Sequence, residues 1–94
     1  MLPIRIFKVR DRSMEPAIRE GDYLIVSRWY GRLRVGDIVV LRHPNKDIMI
    51  VKRISTISSS KIYVIGDNKA LSEDSRKFGG VDRGRVIGKV LLRV

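Results

Sequence analysis

The sequence predicts a mostly β protein with a single domain, residues 1–94, built on a compact, coiled antiparallel sheet of barrel-like form. Three observations support this fold class. The length of 94 residues suits one domain with one hydrophobic core. The chain contains 12 Ile and 11 Val, whose branched side chains favour strands, and two Ala, so long amphipathic helices are not expected. Its apolar runs are short and are separated by turn residues, which leaves no room for helical crossovers.

Six runs of alternating or continuous apolar residues are the predicted strands. They lie at 4–9, 23–29, 37–41, 48–54, 62–65 and 85–94. The steps Gly21-Asp22 and Gly36-Asp37 present the same turn twice, each directly before a strand. The segment 43–47 contains Pro and Asn and is predicted to be a loop, and the three serines at 58–60 predict a hairpin turn. A short turn near 72–75 is the helical candidate.

Composition excludes several classes of protein and site. The chain has no Cys, so disulfide scaffolds, thiol proteases and thiolate metal sites are excluded. One histidine, His43, cannot build a His-rich zinc site by itself, and we predict neither a metal nor a cofactor. The longest apolar run has four residues, whereas a bilayer span needs about 20. Residues 1–5 lack the apolar region of a secretory signal, so we expect a soluble, cytoplasmic protein without a membrane span.

The balance of polar residues bears on the source of the protein. Gln is absent, Asn occurs twice, and charged residues make up 32% of the chain. Few amide side chains and many ionic ones are typical of proteins from hot environments. The composition therefore predicts a thermophilic source.

Two polar segments interrupt the predicted strands. The first, 10–16, follows the first strand, and the second, 66–76, carries two Ser, two Asp, a Glu, a Lys and an Arg. Loops held by a rigid sheet are where catalytic groups tend to lie. On pattern alone, two solvated connections account for these segments equally well.

A lysine interrupts the apolar pattern of the strand predicted at 48–54. With a period of two, Ile50, Lys52 and Ile54 point to one side of the sheet, while Val51 and Arg53 point to the other. Lys52 either reaches past its neighbours to the sheet edge or is partly buried. Burial lowers the pKa of a lysine, and a neutral amine can accept a proton from a serine hydroxyl. Lys52 is therefore the candidate general base, and His43 is a weaker one.

Several short motifs together resemble the signal peptidase I family. The nucleophile motif is Ser13-Met14-Glu15-Pro16, followed by a Gly-Asp step at 21–22 that opens a strand. Segments 36–40, 51–54, 66–68 with 72–79, and 86–90 resemble the later motifs of the family in the same order. Together the motifs cover nearly all of the chain. The resemblance implies the catalytic core shared by signal peptidases and LexA-like proteins, with Ser–Lys peptidase chemistry.

The resemblance also implies roles for individual residues. Ser13 would attack a peptide carbonyl, Lys52 would act as the base, and Ser72 would orient the lysine. The backbone N–H of Ser13 would supply one oxyanion donor. Four charged residues would brace the site as ion pairs without taking part in the chemistry: Arg53, Asp67, Asp74 and Arg76.

Two further residues of the nucleophile motif are predicted to bind substrate. Met14 would form an apolar wall of the cleft, although a place in the core suits it equally well, and Pro16 is the second candidate. The substrate is predicted to be a precursor protein or peptide that lies extended and adds to the sheet as a strand.

One position departs from the family pattern. Signal peptidases usually have Ser or Thr two residues before the nucleophile, whereas this chain has Asp11. A carboxylate aimed at a developing oxyanion would repel it. We therefore expect Asp11 to turn away from the site and to pair with Arg10 or Arg12.

Within the family, the chain resembles the small proteases that mature nickel-type superoxide dismutase by removing an N-terminal extension. That narrow reading predicts a serine endopeptidase acting on one precursor. General processing of exported proteins, with a separate membrane tether, is the alternative. Self-cleavage of the LexA kind is disfavoured, because we see no upstream cleavage site and no DNA-binding helices in the sequence.

The positive charge admits a different class of function. Lys and Arg number 20 against 10 Asp and Glu, which gives a formal net charge of +10. Such a charge suits nucleic acid, anionic lipid or an acidic precursor. The basic residues are scattered along the chain and no nucleic-acid motif accompanies them, so a catalytically idle nucleic-acid-binding module is the less favoured alternative.

Overall fold

Seven strands form one continuous antiparallel sheet in the computed structural model, which describes residues 3–94. The strands are β1 (Ile4–Lys8), β2 (Tyr23–Ser27), β3 (Ile38–Arg42), β4 (Met49–Ile57), β5 (Lys61–Ile65), β6 (Val81–Asp82) and β7 (Val86–Arg93). Their order across the sheet is β1-β2-β7-β3-β4-β5-β6. The mostly β fold predicted from the sequence is confirmed, and the first two residues of the predicted domain lie outside the described part.

The helical segments are short, and all of them lie between β5 and β7 in the sequence. They are 3₁₀ turns at Lys69–Leu71 and Arg83–Arg85 and one helical turn, α1 (Ser75–Phe78). The Asp74 side chain accepts a hydrogen bond from the N–H of Arg76 and so caps α1. The helical turn predicted near 72–75 therefore begins three residues later. No helix in residues 3–94 has the length and apolar character that a membrane span requires.

The prediction of six strands missed β6. This strand has two residues and pairs with the start of β5, where Val81 faces Ile62. Both side chains are buried. A run of two residues carries no readable period, so the sequence pattern could not reveal it.

The repeated Gly-Asp step forms the same turn at both places. Gly21 and Gly36 have φ angles of 91° and 97°, which glycine adopts without a steric penalty. In each turn the Asp carboxylate accepts a hydrogen bond from a backbone N–H three residues earlier: Asp22 from Arg19 and Asp37 from Arg34, both at 2.8 Å. The two turns thereby set where β2 and β3 begin.

Irregular pairing curls the sheet into a half-barrel. The register shifts between Ile25 and Val26 in β2, between Val40 and Leu41 in β3, and between Ile54 and Thr56 in β4. Such bulges bend a strand and increase its twist. The curled sheet encloses two groups of buried apolar side chains, one around β3–β6 and one between β2 and the segment that follows β1.

Two of the unpaired strand edges in the described chain face the same region. Within residues 3–94, β1 pairs with β2 alone, and residues 49–52 of β4 pair with β3 alone because β5 begins its pairing at Arg53. Residues from the end of β1 and the start of β4 line a common groove of about 340 Å³, which we call the edge groove. The edge groove therefore offers unpaired backbone on both walls.

A substitution at Gly88 tests how closely β7 approaches β2. A Cβ atom at this position would lie 2.6 Å from the carbonyl oxygen of Ser27 and from Cγ1 of Val26. We expect Gly88→Ala to lower the free energy of unfolding by about 2 kcal/mol, because packed backbone cannot move aside without strain. Urea unfolding measures this change. Gly84→Ala is the matched control, since a Cβ there meets no atom within 4 Å; an equal loss in both variants would contradict the assignment.

Candidate active site

Ser13 lies in the segment that connects β1 to β2, and the core holds this segment in place. Met14 and Ile18 are each 2% exposed and anchor the segment in the second apolar cluster. The carbonyl oxygen of Ser13 accepts a hydrogen bond from the N–H of Asn68 at 2.8 Å. Ser13 itself is 2% exposed, so its side chain is buried, and it lines a cavity of the protein.

Lys52 is buried in the inner face of β4. Its side chain is 3% exposed, and its face of the strand also carries the buried Ile50 and Ile54. The route to the sheet edge that the sequence left open is not taken. Nζ donates a hydrogen bond to Oγ of Ser72 at 2.9 Å, and in the described chain Lys52 forms no ion pair.

Burial lowers the pKa of Lys52, and this effect outweighs its acidic neighbours. Desolvation is the largest influence, and Asp11, Asp74 and Glu73 oppose it by favouring the ammonium form. Arg76 acts in the same direction as burial. The balance gives a larger neutral fraction of the amine than an exposed lysine has.

A chain of hydrogen bonds holds the partner of Lys52. Ser72 Oγ donates to Oδ2 of Asp74 at 2.7 Å, so it can accept from Lys52 with its lone pairs. The same carboxylate accepts from the N–H of Gly66 at 2.9 Å and from Nε of Arg76 at 2.9 Å. Burial alone would raise the pKa of Asp74, but the bonds from Arg76, Gly66 and Ser72 outweigh it and keep that pKa below its usual range.

A second ion pair holds the backbone next to Ser13. Arg53, the residue after Lys52, donates from Nε and Nη2 to the two oxygens of Asp67 at 2.9 and 2.8 Å. Asp67 follows Gly66, where a Cβ would collide with the Ser72 side chain and lie 2.6 Å from the Ser13 carbonyl oxygen. Residue 66 is therefore a contact point between the segment that carries Ser13 and Ser72, the partner of Lys52, and only glycine fits there.

Ser13 and Lys52 line the same cavity, of about 180 Å³, which we call the site cavity. The structure thus brings together two candidate groups separated by 39 positions in the sequence. In this arrangement they do not bond to each other, because Ser13 Oγ donates to Asp11 and Lys52 donates to Ser72. The polar side chains that line the cavity are Asp11, Ser13, His43, Lys46, Lys52 and Glu73.

The expectation for Asp11 is wrong. Its Oδ1 accepts hydrogen bonds from the Ser13 N–H at 3.1 Å and from Ser13 Oγ at 3.0 Å. Arg12 pairs with Glu15 instead. An Asp two positions before an N–H readily forms such a local turn, and this short-range geometry is more favourable than an exposed pair with a neighbouring arginine.

A hydrogen-bonded cluster around His43 and Glu73 on the cavity wall was not predicted from the sequence. Nδ1 of His43 accepts from the N–H of Asn45 at 3.0 Å, so the proton lies on Nε2, which donates to Glu73 at 2.8 Å. This bond, with those from Lys46 and Lys77, lowers the pKa of Glu73 to about 2. Both ring nitrogens of His43 are thus occupied. The sequence signal for Glu73 was its place between Ser72 and Asp74.

The two predicted substrate-binding residues lie away from the site cavity and the edge groove. Met14 is buried in the core and its Sδ accepts from the N–H of Asp67 at 3.4 Å, which agrees with the core alternative. Pro16 is exposed and lines neither space. Among residues 3–94, no three His, Asp or Glu side chains are grouped in a way that could hold a metal ion.

Asp74→Asn tests the bracing of Ser72. We expect the substitution to lower the free energy of unfolding at pH 7 by about 2 kcal/mol, because it removes the buried charge that accepts hydrogen bonds from Ser72, Gly66 and Arg76. The Asp74 pKa is lower in the folded than in the unfolded state. Its contribution is therefore complete above an ordinary Asp pKa of about 3.9 and falls as the pH drops below that value.

Urea unfolding of Asp74→Asn and of the parent between pH 2 and 7 measures this dependence. The difference between the two proteins should be largest at pH 7 and should shrink on acidification. Asp47→Asn is the control, since that carboxylate is exposed and forms no side-chain hydrogen bond or ion pair among residues 3–94. A difference that stays constant over the whole range would contradict the role given to the Asp74 charge.

Comparisons with known proteins identify relatives of this chain. The Peptidase S24-like family model matches residues 3–91. Subunit 2 of the mitochondrial inner membrane protease from Schizosaccharomyces pombe is 26% identical over 113 aligned positions, which cover 94% of this chain and 63% of the relative. Signal peptidase IB from Staphylococcus aureus is 33% identical over 75 positions, which cover 80% of this chain and 32% of the relative. This chain therefore spans less than two thirds of either relative.

The family match and these relatives confirm the resemblance to signal peptidases drawn from the motifs. The match covers β1 to β6 and β7 as far as residue 91, and its range includes Ser13, Lys52 and Ser72. A match of this extent settles the family. The chain belongs to the Peptidase S24-like family.

Proposed function

We propose that this protein is a serine endopeptidase in which Ser13 is the nucleophile and Lys52 the general base, and that it removes an N-terminal extension from a specific precursor protein. The observation that carries the proposal is the burial of the Lys52 amine beside Ser13 in the site cavity. Burying a lysine without an ion pair costs free energy, which a purely structural position would not require. Desolvation gives that lysine the neutral form that a base needs.

The proposed reaction proceeds through an acyl-enzyme. Ser13 Oγ attacks the scissile carbonyl carbon while its proton passes to the neutral Nζ of Lys52. The resulting ammonium gives that proton to the leaving amine nitrogen, and the peptide C–N bond breaks. A water molecule then attacks the acyl carbon with Lys52 again as base, and the Ser13 hydroxyl is restored as the acid product leaves.

The remaining site residues have positioning roles in this proposal. Ser72 fixes the direction of the Lys52 amine, and the Asp74–Arg76 pair fixes Ser72. The Arg53–Asp67 pair joins β4 to the backbone that holds the Ser13 carbonyl. Removal of any of these groups should lower the rate by loosening the geometry and leave the chemical steps unchanged.

The edge groove is the proposed binding site for the substrate backbone. Its two walls, β1 and residues 49–52 of β4, each present unpaired backbone N–H and C=O groups. An extended peptide laid between them can pair with both walls and bridge the open side of the half-barrel. The edge groove and the site cavity share Asp11, Ile48 and Ile50, so a peptide in the groove reaches Ser13.

We propose the precursor of a nickel-type superoxide dismutase as the substrate, following the resemblance to that branch of the family. The names of the relatives favour a second candidate. They are a signal peptidase and a mitochondrial inner membrane protease, which supports general processing of exported proteins. The two candidates differ in how many precursors depend on the enzyme.

The dyad is tested with Ser13→Ala and Lys52→Met. Each change should lower kcat/KM for a cleavable peptide by about 10⁴-fold or more, because loss of either group removes the covalent route. Circular dichroism should show an unchanged fold. The controls are Ser59→Ala and Lys61→Met, which alter the same residue types at positions outside the site. Activity retained in either dyad variant would refute the proposal.

The substrate is tested in the native cells by comparing mature protein N-termini between the parent and Ser13→Ala. We expect one precursor to accumulate uncleaved, and its junction then gives the substrate and the cleavage motif together. A superoxide dismutase precursor supports the narrow proposal, and several exported precursors support general processing. If no N-terminus changes although the variant is expressed and folded, the peptidase proposal fails. Salt-dependent nucleic-acid binding is then the function to measure.

A further inference from the structure

Asp11 accepts hydrogen bonds from both groups of Ser13 that peptide cleavage requires, the hydroxyl and the backbone N–H. One oxygen, Oδ1, accepts the hydroxyl proton at 3.0 Å and the backbone N–H at 3.1 Å. Under the proposed function, the hydroxyl proton must go to Lys52 and the N–H must stabilise the oxyanion. In the present arrangement neither group is available for its task.

A negative charge at this place also opposes the reaction directly. The carbonyl oxygen of the substrate gains negative charge in the transition state, and a carboxylate on the same N–H repels it.

We propose that Asp11 is a latch that holds Ser13 in an unreactive arrangement until an extended peptide occupies the edge groove. This inference rests on the proposed function of Ser13 and Lys52. Asp11 lines both the edge groove and the site cavity, so an occupying peptide contacts the latch before its carbonyl reaches Ser13. The scissile carbonyl then takes over the N–H of Ser13.

Once it leaves Ser13, the Asp11 carboxylate can pair with a nearby cation. Asp11 and Arg10 are both exposed and both line the edge groove. Arg12 is already paired with Glu15. Arg10 is therefore the cation that the carboxylate can meet when it leaves Ser13, and this pairing keeps its charge away from the developing oxyanion.

The latch also acts on Lys52. Asp11 is the carboxylate that most strongly favours the ammonium form of Lys52, so its removal should lower the pKa of the amine further. The other charged groups that act on Lys52 are Asp74, Glu73 and Arg76, and His43 and Lys46 line the same cavity. All of these remain in an Asp11 variant, so the change in the pH profile reports the loss of Asp11 alone.

A purely local role for Asp11 makes the opposite prediction. A side chain that accepts from the N–H two residues later stabilises a turn, and its removal would loosen the Ser13 segment. That role predicts a less stable protein with a slower reaction. The latch predicts a faster reaction whose pH dependence has moved.

The test is the rate of Ser13 acylation by a small fluorophosphonate, which reacts with the nucleophile without filling the edge groove. The full chain is compared with Asp11→Asn, which keeps the shape, and Asp11→Ala, which removes the acceptor. We expect acylation at pH 7 to be about tenfold faster in Asp11→Ala, with a smaller gain in Asp11→Asn. The rising limb of the pH–rate profile should move to lower pH in both variants.

Two controls make the outcomes distinct. Asp82→Asn removes the same charge from β6 at the far edge of the sheet and should leave the rate and the pH profile unchanged. Ser13→Ala should abolish labelling. If the parent is acylated but neither Asp11 variant reacts faster, the latch is refuted while the Ser13 proposal stands. If no folded protein in the set is acylated, both proposals are refuted.

Discussion

The burial of one ammonium-bearing side chain governs the arrangement of this protein. Lys52 lies on the inner face of a strand, where its charged form loses hydration, so its amine needs a partner that is polar without being a carboxylate. Ser72 supplies that partner. A carboxylate in direct contact would return the lysine to its charged form, whereas a hydroxyl accepts its hydrogen bond and leaves the pKa low.

Because Lys52 needs a hydroxyl partner, further hydrogen bonds are needed to hold Ser72 in position. Ser72 must present its lone pairs to Lys52, and it does so because its own proton goes to Asp74. Asp74 is 1% exposed and is stabilised as an anion by Arg76 and by the N–H of Gly66. The same Gly66 lies against the Ser13 carbonyl. These contacts join Ser13 and the Lys52 amine in one connected arrangement.

Much of this structure follows from local sequence features. The strands appear where β-branched residues cluster, and both Gly-Asp steps form the turn expected of them, because these are interactions between near neighbours. The period of two predicts Lys52 on the same side as Ile50 and Ile54, and all three are buried on that side of β4. The family motifs then indicated Ser72, which periodicity could not, since its contact with Lys52 spans 20 positions.

Two of the three failures, at β6 and at His43 with Glu73, arise from contacts between distant positions, whereas the third, at Asp11, is a local contact. Strand β6 is two residues long and exists because β5 offers it an edge. Asp11 was expected to form an ion pair with an arginine. It instead accepts a hydrogen bond from a backbone N–H two residues away, which avoids the entropy cost of ordering a long arginine side chain. The His43–Glu73 contact joins residues 30 positions apart in two loops. Contacts of this kind depend on how the loops lie on the finished sheet.

The two unpaired edges have a consequence for the protein in solution. An open strand edge can pair with the edge of another copy as readily as with a peptide, and exposed edges of this kind promote aggregation. The walls of the edge groove carry Lys8 and Arg10, on a chain with a net charge of +10. Two copies meeting edge to edge would bring these cations together, so the basic charge opposes self-association along this edge.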